Sequence, residues 1–139
     1  MTVHGADFEI RTRGENHILD ITGEVTKAIS SSKLQDGIAS VFVAGSTGAI
    51  TTLEFEPGLL EDIPAAMERL APRDGEYQHH LRWQDGNGHS HVRAAILGPG
   101  ITVPFRNGKM LLGTWQQIVF LEMDVKPRTR QIHVQIVGE

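Results

Sequence analysis

Alternation of apolar and polar residues along the chain predicts a protein built mainly from short β-strands. A strand with one buried face places every second side chain in the core, and this period of two recurs throughout the sequence. Two strands are predicted before residue 22, two between residues 39 and 56, and four from residue 89 onward. The predicted strands are Phe8–Arg13, His17–Ile21, Ala39–Ala44, Ala49–Glu56, His89–Leu97, Ile101–Val103, Thr114–Val125 and Thr129–Val137.

Two other segments repeat their apolar residues at the spacing of an α-helix. Thr22 is a candidate N-cap for the first helix, Gly23–Ser32, whose apolar residues form one stripe. The second helix is predicted over Leu59–Leu70. Pro64 lies inside this second pattern and would make the helix begin late or bend, because proline removes a backbone hydrogen bond.

The order β-β-α-β-β-α followed by further strands predicts one α+β domain over residues 1–139. We expect a small, mostly antiparallel β-sandwich with two helices. The residues Lys126–Arg128 are typical of a turn and would join the last two strands as a hairpin. Within the strand before this turn, Trp115 is expected to anchor the core.

The composition excludes several classes of protein. The 13 basic and 17 acidic residues give a formal net charge of -4, which offers no basic surface for nucleic acid or for an anionic membrane. The chain has no cysteine, so disulfides, thiolate catalysis and cysteine–zinc sites are excluded. No apolar run approaches the roughly 20 residues of a membrane-spanning helix, and the polar first residues lack the core of a signal peptide. We therefore expect a cytoplasmic protein.

The segment DGNGHSHVRAAILG, Asp85–Gly98, carries the clearest candidate chemistry. In a strand, His89 and His91 would stand on one face, with Arg93 next along it, and two imidazoles at this spacing can share a metal ion. A third ligand could come from His79, His80 or Asp85, which all lie within ten residues of His89. The alternative is that the histidines are ordinary surface residues behind a glycine turn, because a His-x-His pair alone is a weak signal.

The small residues of AGSTGA, Ala44–Ala49, form a second candidate site. The backbone N–H groups and hydroxyls of such a loop can hold an anion. A plain tight turn explains the same residues, and the segment matches neither a P-loop nor a dinucleotide-binding fingerprint.

Several stretches together resemble the YjbQ-type family, which is also named for a secondary thiamine-phosphate synthase activity. They are AGSTGAITTLEFEPGLLEDIPAAMERLAP, EYQHH and DGNGHSHVRAAILGPGITVPFRNGKMLLGTWQQIVFLEMD, and the C-terminal QIVGE is similar to the family's ending. The combination of GNGHSH with GTWQQ is specific, and the resemblance covers nearly the whole chain.

The resemblance implies a small α+β sandwich that assembles as a homotrimer, with a pocket near the subunit contacts. It also implies weak formation of thiamine phosphate from a pyrimidine pyrophosphate and a thiazole phosphate. Matched residue by residue, the family's polar pocket positions fall on His79, Asp85, Asn87, His89, His91 and Glu54. Its Ser/Thr-rich loop falls on Ser46 and Thr47, and its basic strand position falls on Arg93.

The first functional hypothesis is a transferase-like enzyme that acts on phosphorylated metabolites. Such chemistry needs cations or hydrogen-bond donors where negative charge develops. The alternative is a non-catalytic trimer that binds a metal or a phosphorylated metabolite, because one pocket would serve either role. The candidate catalytic residues are Asp85, Glu54 and Asn87, and the candidate phosphate ligands are Ser46, Thr47 and Arg93. The candidate ligands of a divalent metal are His79, His89 and His91, with zinc the first choice and Mg²⁺ an option for a pyrophosphate substrate.

Overall fold

A computed structural model describes all residues, 1–139, and contains nine strands and four helices. The strands are β1 (Thr2–Gly5), β2 (Phe8–Arg11), β3 (Ile18–Asp20), β4 (Gly37–Val43), β5 (Gly48–Leu53), β6 (Gly100–Arg106), β7 (Lys109–Met110), β8 (Gln117–Glu122) and β9 (Thr129–Gly138). The helices are α1 (Thr22–Ser32), α2 (Pro57–Leu70), α3 (Gln78–Trp83) and α4 (Gly88–Leu97). None of the helices combines the length and the apolar character that crossing a bilayer requires.

Strand β9 lies at the centre of the larger of two antiparallel sheets, which has six strands in the order β1-β9-β4-β6-β7, with β2 also paired to β9. Strands β1 and β2 share one edge of β9, because β1 pairs with residues 135–138 and β2 with residues 129–132. Strand β4 pairs with the other edge along seven residues. The second sheet has three strands in the order β3-β8-β5.

The main hydrophobic core lies between the two sheets and helix α1. Alternate residues of β4 and β9 point inward, whereas β8 is buried on both faces. The outer face of the smaller sheet carries a second core, where it meets helices α2 and α4. The protein is therefore a single α+β domain built from antiparallel sheets, as predicted, but it has four helices instead of two.

Helix α4 replaces the strand that was predicted over His89–Leu97. The alternation that suggested a strand came partly from Val92 and Ile96, which are 40% and 54% exposed. The buried residues His89, Ser90, Arg93 and Ala94 follow the helical spacing of three and four residues instead. Residues two apart on a helix point about 200° apart, so His89 and His91 do not share a face.

Three further predictions about local structure are wrong. The residues Lys126–Arg128 connect β8 to β9, which belong to different sheets, so they do not close a hairpin. Trp115 precedes β8 and is 70% exposed, so it is no core anchor. Thr22 does not cap α1, because its own N–H and hydroxyl both donate to Asp20.

Helix α2 begins earlier than its apolar stripe suggested and continues through Pro64. The Glu56 carboxylate accepts hydrogen bonds from the N–H groups of Gly58 and Leu59, so it caps the helix. Pro57 then occupies the first turn, where a missing N–H costs nothing. The start of α2 is therefore set by capping chemistry more than by hydrophobic spacing.

Candidate functional site

A polar cavity of about 320 Å³ lies at one end of the two sheets. It brings together the loop before β5, the start of α4, the segment after β8 and the start of β9. Its lining contains a single hydrophobic residue. The lining residues are Ala44, Gly45, Ser46, Thr47, Asn87, His91, Asp124, Arg128, Thr129, Arg130 and Gln131.

None of the four consecutive backbone N–H groups of the loop Ala44–Thr47 makes a hydrogen bond within the chain. Gly45 makes the turn of this loop possible, because its φ of +132° lies in a region that other residues rarely adopt. The Ser46 side chain is exposed at the mouth of the cavity, whereas Thr47 is buried. Unpaired N–H groups along a short loop are a typical anion-binding arrangement, so the predicted phosphate loop has suitable geometry.

Arg130 and Glu122 form a buried ion pair behind this loop, with side chains only 3% and 0% exposed. The Glu122 carboxylate accepts hydrogen bonds from Arg130, from the Thr12 hydroxyl at 2.8 Å and from the Asp124 N–H at 3.1 Å. Arg130 also donates to Thr47 Oγ1 at 2.8 Å. Its third nitrogen, Nη1, makes no hydrogen bond within the chain, so it can donate to a ligand in the cavity.

Asp124 stays ionised in the wall of the cavity although it is buried. Burial opposes its ionisation, but hydrogen bonds from the Val125 N–H and Thr47 and the charge of Arg128 lower the Asp124 pKa. Arg128 Nη1 donates to Asp124 Oδ2 at 2.6 Å. The Arg128 side chain is 38% exposed, so part of its guanidinium faces the cavity and solvent.

His91 and His79 lie side by side at the cavity, with ring centroids 4.3 Å apart. His79 Nδ1 is 3.3 Å from Asp85 Oδ1. Burial lowers the pKa of His91 below its ordinary value, and the neighbouring His79 lowers it further, against the opposing charges of Asp85 and Asp124. His91 is therefore neutral at neutral pH and can accept a proton or bind a cation.

The Asn87 side chain lies between two carboxylates. In one orientation its amide donates to Asp124 Oδ1 at 3.4 Å, and in the flipped orientation it donates to Asp85 Oδ1 at 2.8 Å. The shorter bond favours the flipped orientation. Six of the predicted site residues thus converge on this region: Ser46, Thr47, Asn87 and His91 line the cavity wall, and His79 and Asp85 lie beside them.

His89 lies apart from this cluster, so the three predicted metal ligands do not converge. Its side chain is 1% exposed and its Nε2 contacts the carboxylate of Glu15, on the other side of the start of α4. No group of three His, Asp or Glu side chains forms a metal-ligand set. The remaining donors, His79, His91 and Asp85, are of the types that zinc accepts.

Arg93 and Glu54 also lie away from the cavity. Arg93 is 1% exposed, and its guanidinium donates to the Ala71 carbonyl at 2.9 Å and to Glu68 at 2.7 Å. It therefore ties α4 to α2 and to the chain that follows it. Glu54 is exposed after the far end of β5, about 20 Å along the strand from the Ser46–Thr47 loop at roughly 3.3 Å per residue.

Three charged residues that line the cavity were not predicted, namely Asp124, Arg128 and Arg130, and neither was the ion pair that Arg130 forms with Glu122 behind them. One signal for them exists in the sequence. Glu122 ends the apolar run IVFLE, and Arg130 falls on the same alternation as the buried residues Ile132 and Val134. A charge at a core position is rarely left unpaired, so the two residues could have been matched to each other.

Comparison of the sequence with protein families and individual relatives gives a consistent result. Residues 6–139 match the family described as UPF0047 protein YjbQ-like. A UPF0047 protein of Methanothermobacter thermautotrophicus is 42% identical over 139 residues, which cover all of this chain and 95% of the relative. The UPF0047 protein YugU of Bacillus subtilis is 30% identical over 132 residues, 94% of this chain and 97% of the relative.

Solved structures show the same fold. A crystal structure of a YbjQ-like protein of unknown function from Sulfolobus solfataricus superposes with a TM-score of 0.92 at 35% identity, covering 99% of each chain. A protein of the yjbq/upf0047 family from Clostridium acetobutylicum superposes with a TM-score of 0.86 at 34% identity, covering 95% of this chain and 99% of that one.

The buried ion pair makes Arg130 a residue on which stability depends. We expect Arg130→Met to lower the free energy of unfolding by about 3–5 kcal/mol, because Glu122 then stays buried without its partner. Arg128→Met is the matched control and should cost about 1 kcal/mol, since Asp124 keeps its bonds from Thr47 and Val125. Urea denaturation measures both. Equal losses for the two variants would contradict this role.

Proposed function

The chain belongs to the UPF0047 protein YjbQ-like family, and we propose that its polar cavity binds the phosphate groups of a small metabolite and transfers part of that metabolite to an acceptor. The reaction that the family resemblance suggests is the joining of a pyrimidine pyrophosphate to a thiazole phosphate. A carbon–nitrogen bond to the thiazole forms, the carbon–oxygen bond to pyrophosphate breaks, and pyrophosphate leaves.

One observation carries this proposal: the four unpaired N–H groups of Ala44–Thr47 line the same cavity as Arg128 and Arg130. A leaving pyrophosphate gains negative charge at the oxygen whose bond breaks, and donors fixed in advance stabilise that charge. The Nη1 of Arg130 is held in place by the ion pair to Glu122, so little reorganisation is needed when the charge develops. Arg128 is the more accessible of the two cations.

The neighbouring cluster of His79, His91 and Asp85 supplies hydrogen-bonding groups at the same site. His91 is neutral at neutral pH because of its lowered pKa, so its ring can accept a hydrogen bond from a substrate N–H or O–H group and help to orient it. Asn87 lies where its amide can hold a substrate oxygen or either carboxylate. The non-catalytic alternative assigns the same groups to binding alone.

Phosphate recognition is tested by titrating inorganic pyrophosphate into the protein by calorimetry. We expect Arg128→Gln to weaken binding by about 2 kcal/mol, the scale of a charge-assisted hydrogen bond. Arg106→Gln is the control, because Arg106 is exposed at the far end of β6 and does not line the cavity. If both variants bind pyrophosphate like the unmodified protein, the cavity is not the phosphate site.

A turnover assay distinguishes the hypothesis of an enzyme from that of a non-catalytic binding protein. Mixing the protein with the pyrimidine pyrophosphate and the thiazole phosphate should form thiamine phosphate, and His91→Ala should slow this by about tenfold, the scale of a lost hydrogen bond that orients the substrate. If the protein binds pyrophosphate but forms no thiamine phosphate at any pH, the non-catalytic alternative is favoured instead.

We further propose that a divalent cation binds the adjacent rings of His79 and His91 and draws in Asp85, which contacts His79, instead of binding the three histidines expected from the sequence. The three side chains do not form a ligand set as they stand, so binding requires a small local movement. Zinc suits neutral imidazoles and a carboxylate. Bound there, it would supply positive charge beside the phosphate groups.

Zinc titration by calorimetry at neutral pH tests the metal proposal. We expect binding that His91→Ala abolishes, because it removes one of the two adjacent imidazoles. His133→Ala is the control and should bind zinc normally, since His133 lies on β9 and contacts only Asp7. Absence of zinc binding by the unmodified protein would end the metal proposal without affecting the phosphate proposal.

We also propose that the protein assembles as a homotrimer. The outward face of β4 exposes Ile38 and Phe42 at 48% and 46%, and β1 adds Val3 at 61%. Exposed apolar side chains that lie together favour association.

Light scattering tests this assembly. The expected mass is three times the 15.3 kDa of one chain, and Phe42→Glu should lower it by placing a charge on the apolar face. Glu9→Lys is a control on exposed β2. A stable monomer at micromolar concentration would contradict the trimer.

A further inference from the structure

A second polar cavity, of about 300 Å³, lies on the other side of the start of α4. It shares no lining residue with the first cavity. Tyr77 is its single hydrophobic residue. The remaining lining residues are Arg73, Asp74, Gly75, His80, Gly86, Gly88 and His89.

His89 is held at this cavity by a chain of charged contacts. Its Nε2 contacts Glu15 Oε1, and Glu15 Oε2 in turn accepts a hydrogen bond from Arg73 Nη1 at 2.9 Å. The side chain of His89 is 1% exposed, and its other nitrogen, Nδ1, has no hydrogen-bond partner. An unpartnered polar atom in a buried side chain is unusual. Because His89 borders the cavity, a small shift of its ring toward that space would let a ligand complete its bonding.

Other donors line the same cavity. The backbone N–H groups of Gly88 and His89 lie in the first turn of α4, a helix of ten residues, and neither finds an acceptor in the chain. The positive end of the helix dipole therefore faces this space. His80 Nδ1 accepts a hydrogen bond from the Gly86 N–H at 3.2 Å, so its neutral ring carries the proton on Nε2, which remains free to donate.

Arg73 supplies the positive charge. Only its Nη1 is bonded, to Glu15, and its side chain is 56% exposed, so the remaining guanidinium N–H groups are available. Glu15 is already bound by Arg73 and His89. Asp74 is the remaining acidic group in the lining, and it is exposed to solvent, which screens its repulsion of an anion.

We propose that this second cavity binds a phosphate group. The helix N-terminus, Arg73 and His80 offer donors to the phosphate oxygens. A phosphate group also suits His89 Nδ1 in either of its hydrogen-bonding roles, because a phosphate oxygen accepts from an N–H and a P–OH donates to a bare nitrogen. The site is separate from the first cavity and does not depend on the reaction proposed there.

Inorganic phosphate is the probe, and phosphorus NMR and calorimetry count its binding sites. We expect two sites in the unmodified protein. Arg73→Gln should weaken one by tenfold or more, the scale of a lost charge-assisted hydrogen bond, and Arg73→Lys should retain part of it. Arg128→Gln should weaken the other site alone. Arg69→Gln is the matched control, since Arg69 is an exposed residue near the end of α2 that lines neither cavity.

The outcomes separate this proposal from the proposed function. A single site that Arg73→Gln removes and Arg128→Gln spares would support the second cavity while contradicting phosphate binding in the first. Phosphate binding that Arg73→Gln leaves unchanged would overturn the second site. His89→Gln, checked for folding by circular dichroism, should weaken the Arg73-dependent site as well.

A phosphate monoester such as phenyl phosphate identifies the source of the group. Binding of the monoester at the Arg73-dependent site indicates a phosphorylated metabolite, whereas binding of inorganic phosphate alone indicates the free ion. Either result supports a phosphate site, and failure of both ligands to bind there overturns it.

Discussion

The buried ion pair between Glu122 and Arg130 is the contact on which the rest of the site depends. Removing two charges from water costs several kcal/mol each, so such a pair needs further hydrogen-bond partners. Thr12, the N–H of Asp124 and Thr47 provide them, and Arg130 Nη1 alone is left without a partner in the chain. The pair therefore fixes the end of β2, the end of β8, the start of β9 and the loop before β5 relative to one another, and the cavity occupies the point where they meet.

The start of α4 divides the chemistry of the protein into two sides. Asn87 and His91 belong to the first cavity, whereas Gly88 and His89 belong to the second. Successive residues of a helix point about 100° apart, so neighbouring polar residues of this short segment line the first and the second cavity in turn. Arg93, one turn later, anchors the helix to α2, which keeps this division in place.

The sequence predicted the sheets well because alternation is enforced along β4 and β9, each with one buried face. It failed at α4 for two reasons. Val92 and Ile96 are apolar but exposed, so they produced an alternation typical of a strand, and Arg93 is charged but buried, so the inner face of the helix did not read as apolar. Ser46, Thr47 and His91 were singled out by their side-chain chemistry and Asn87 by the family resemblance, and all four line the cavity. Arg128 and Arg130 were missed because their role depends on partners that only the fold brings near.

The central position of β9 has a consequence for how the protein is made. This strand follows all the others along the chain, yet β1, β2 and β4 all pair with it, β1 across more than 120 residues. During synthesis on the ribosome, the edges of these earlier strands that pair with β9 remain unpaired until β9 has emerged. Long-range pairing of this kind slows folding and leaves strand edges open to other chains. The earlier strands are thus synthesised some time before the large sheet can be completed. During that interval the new chain is most prone to pair its open strand edges with other chains.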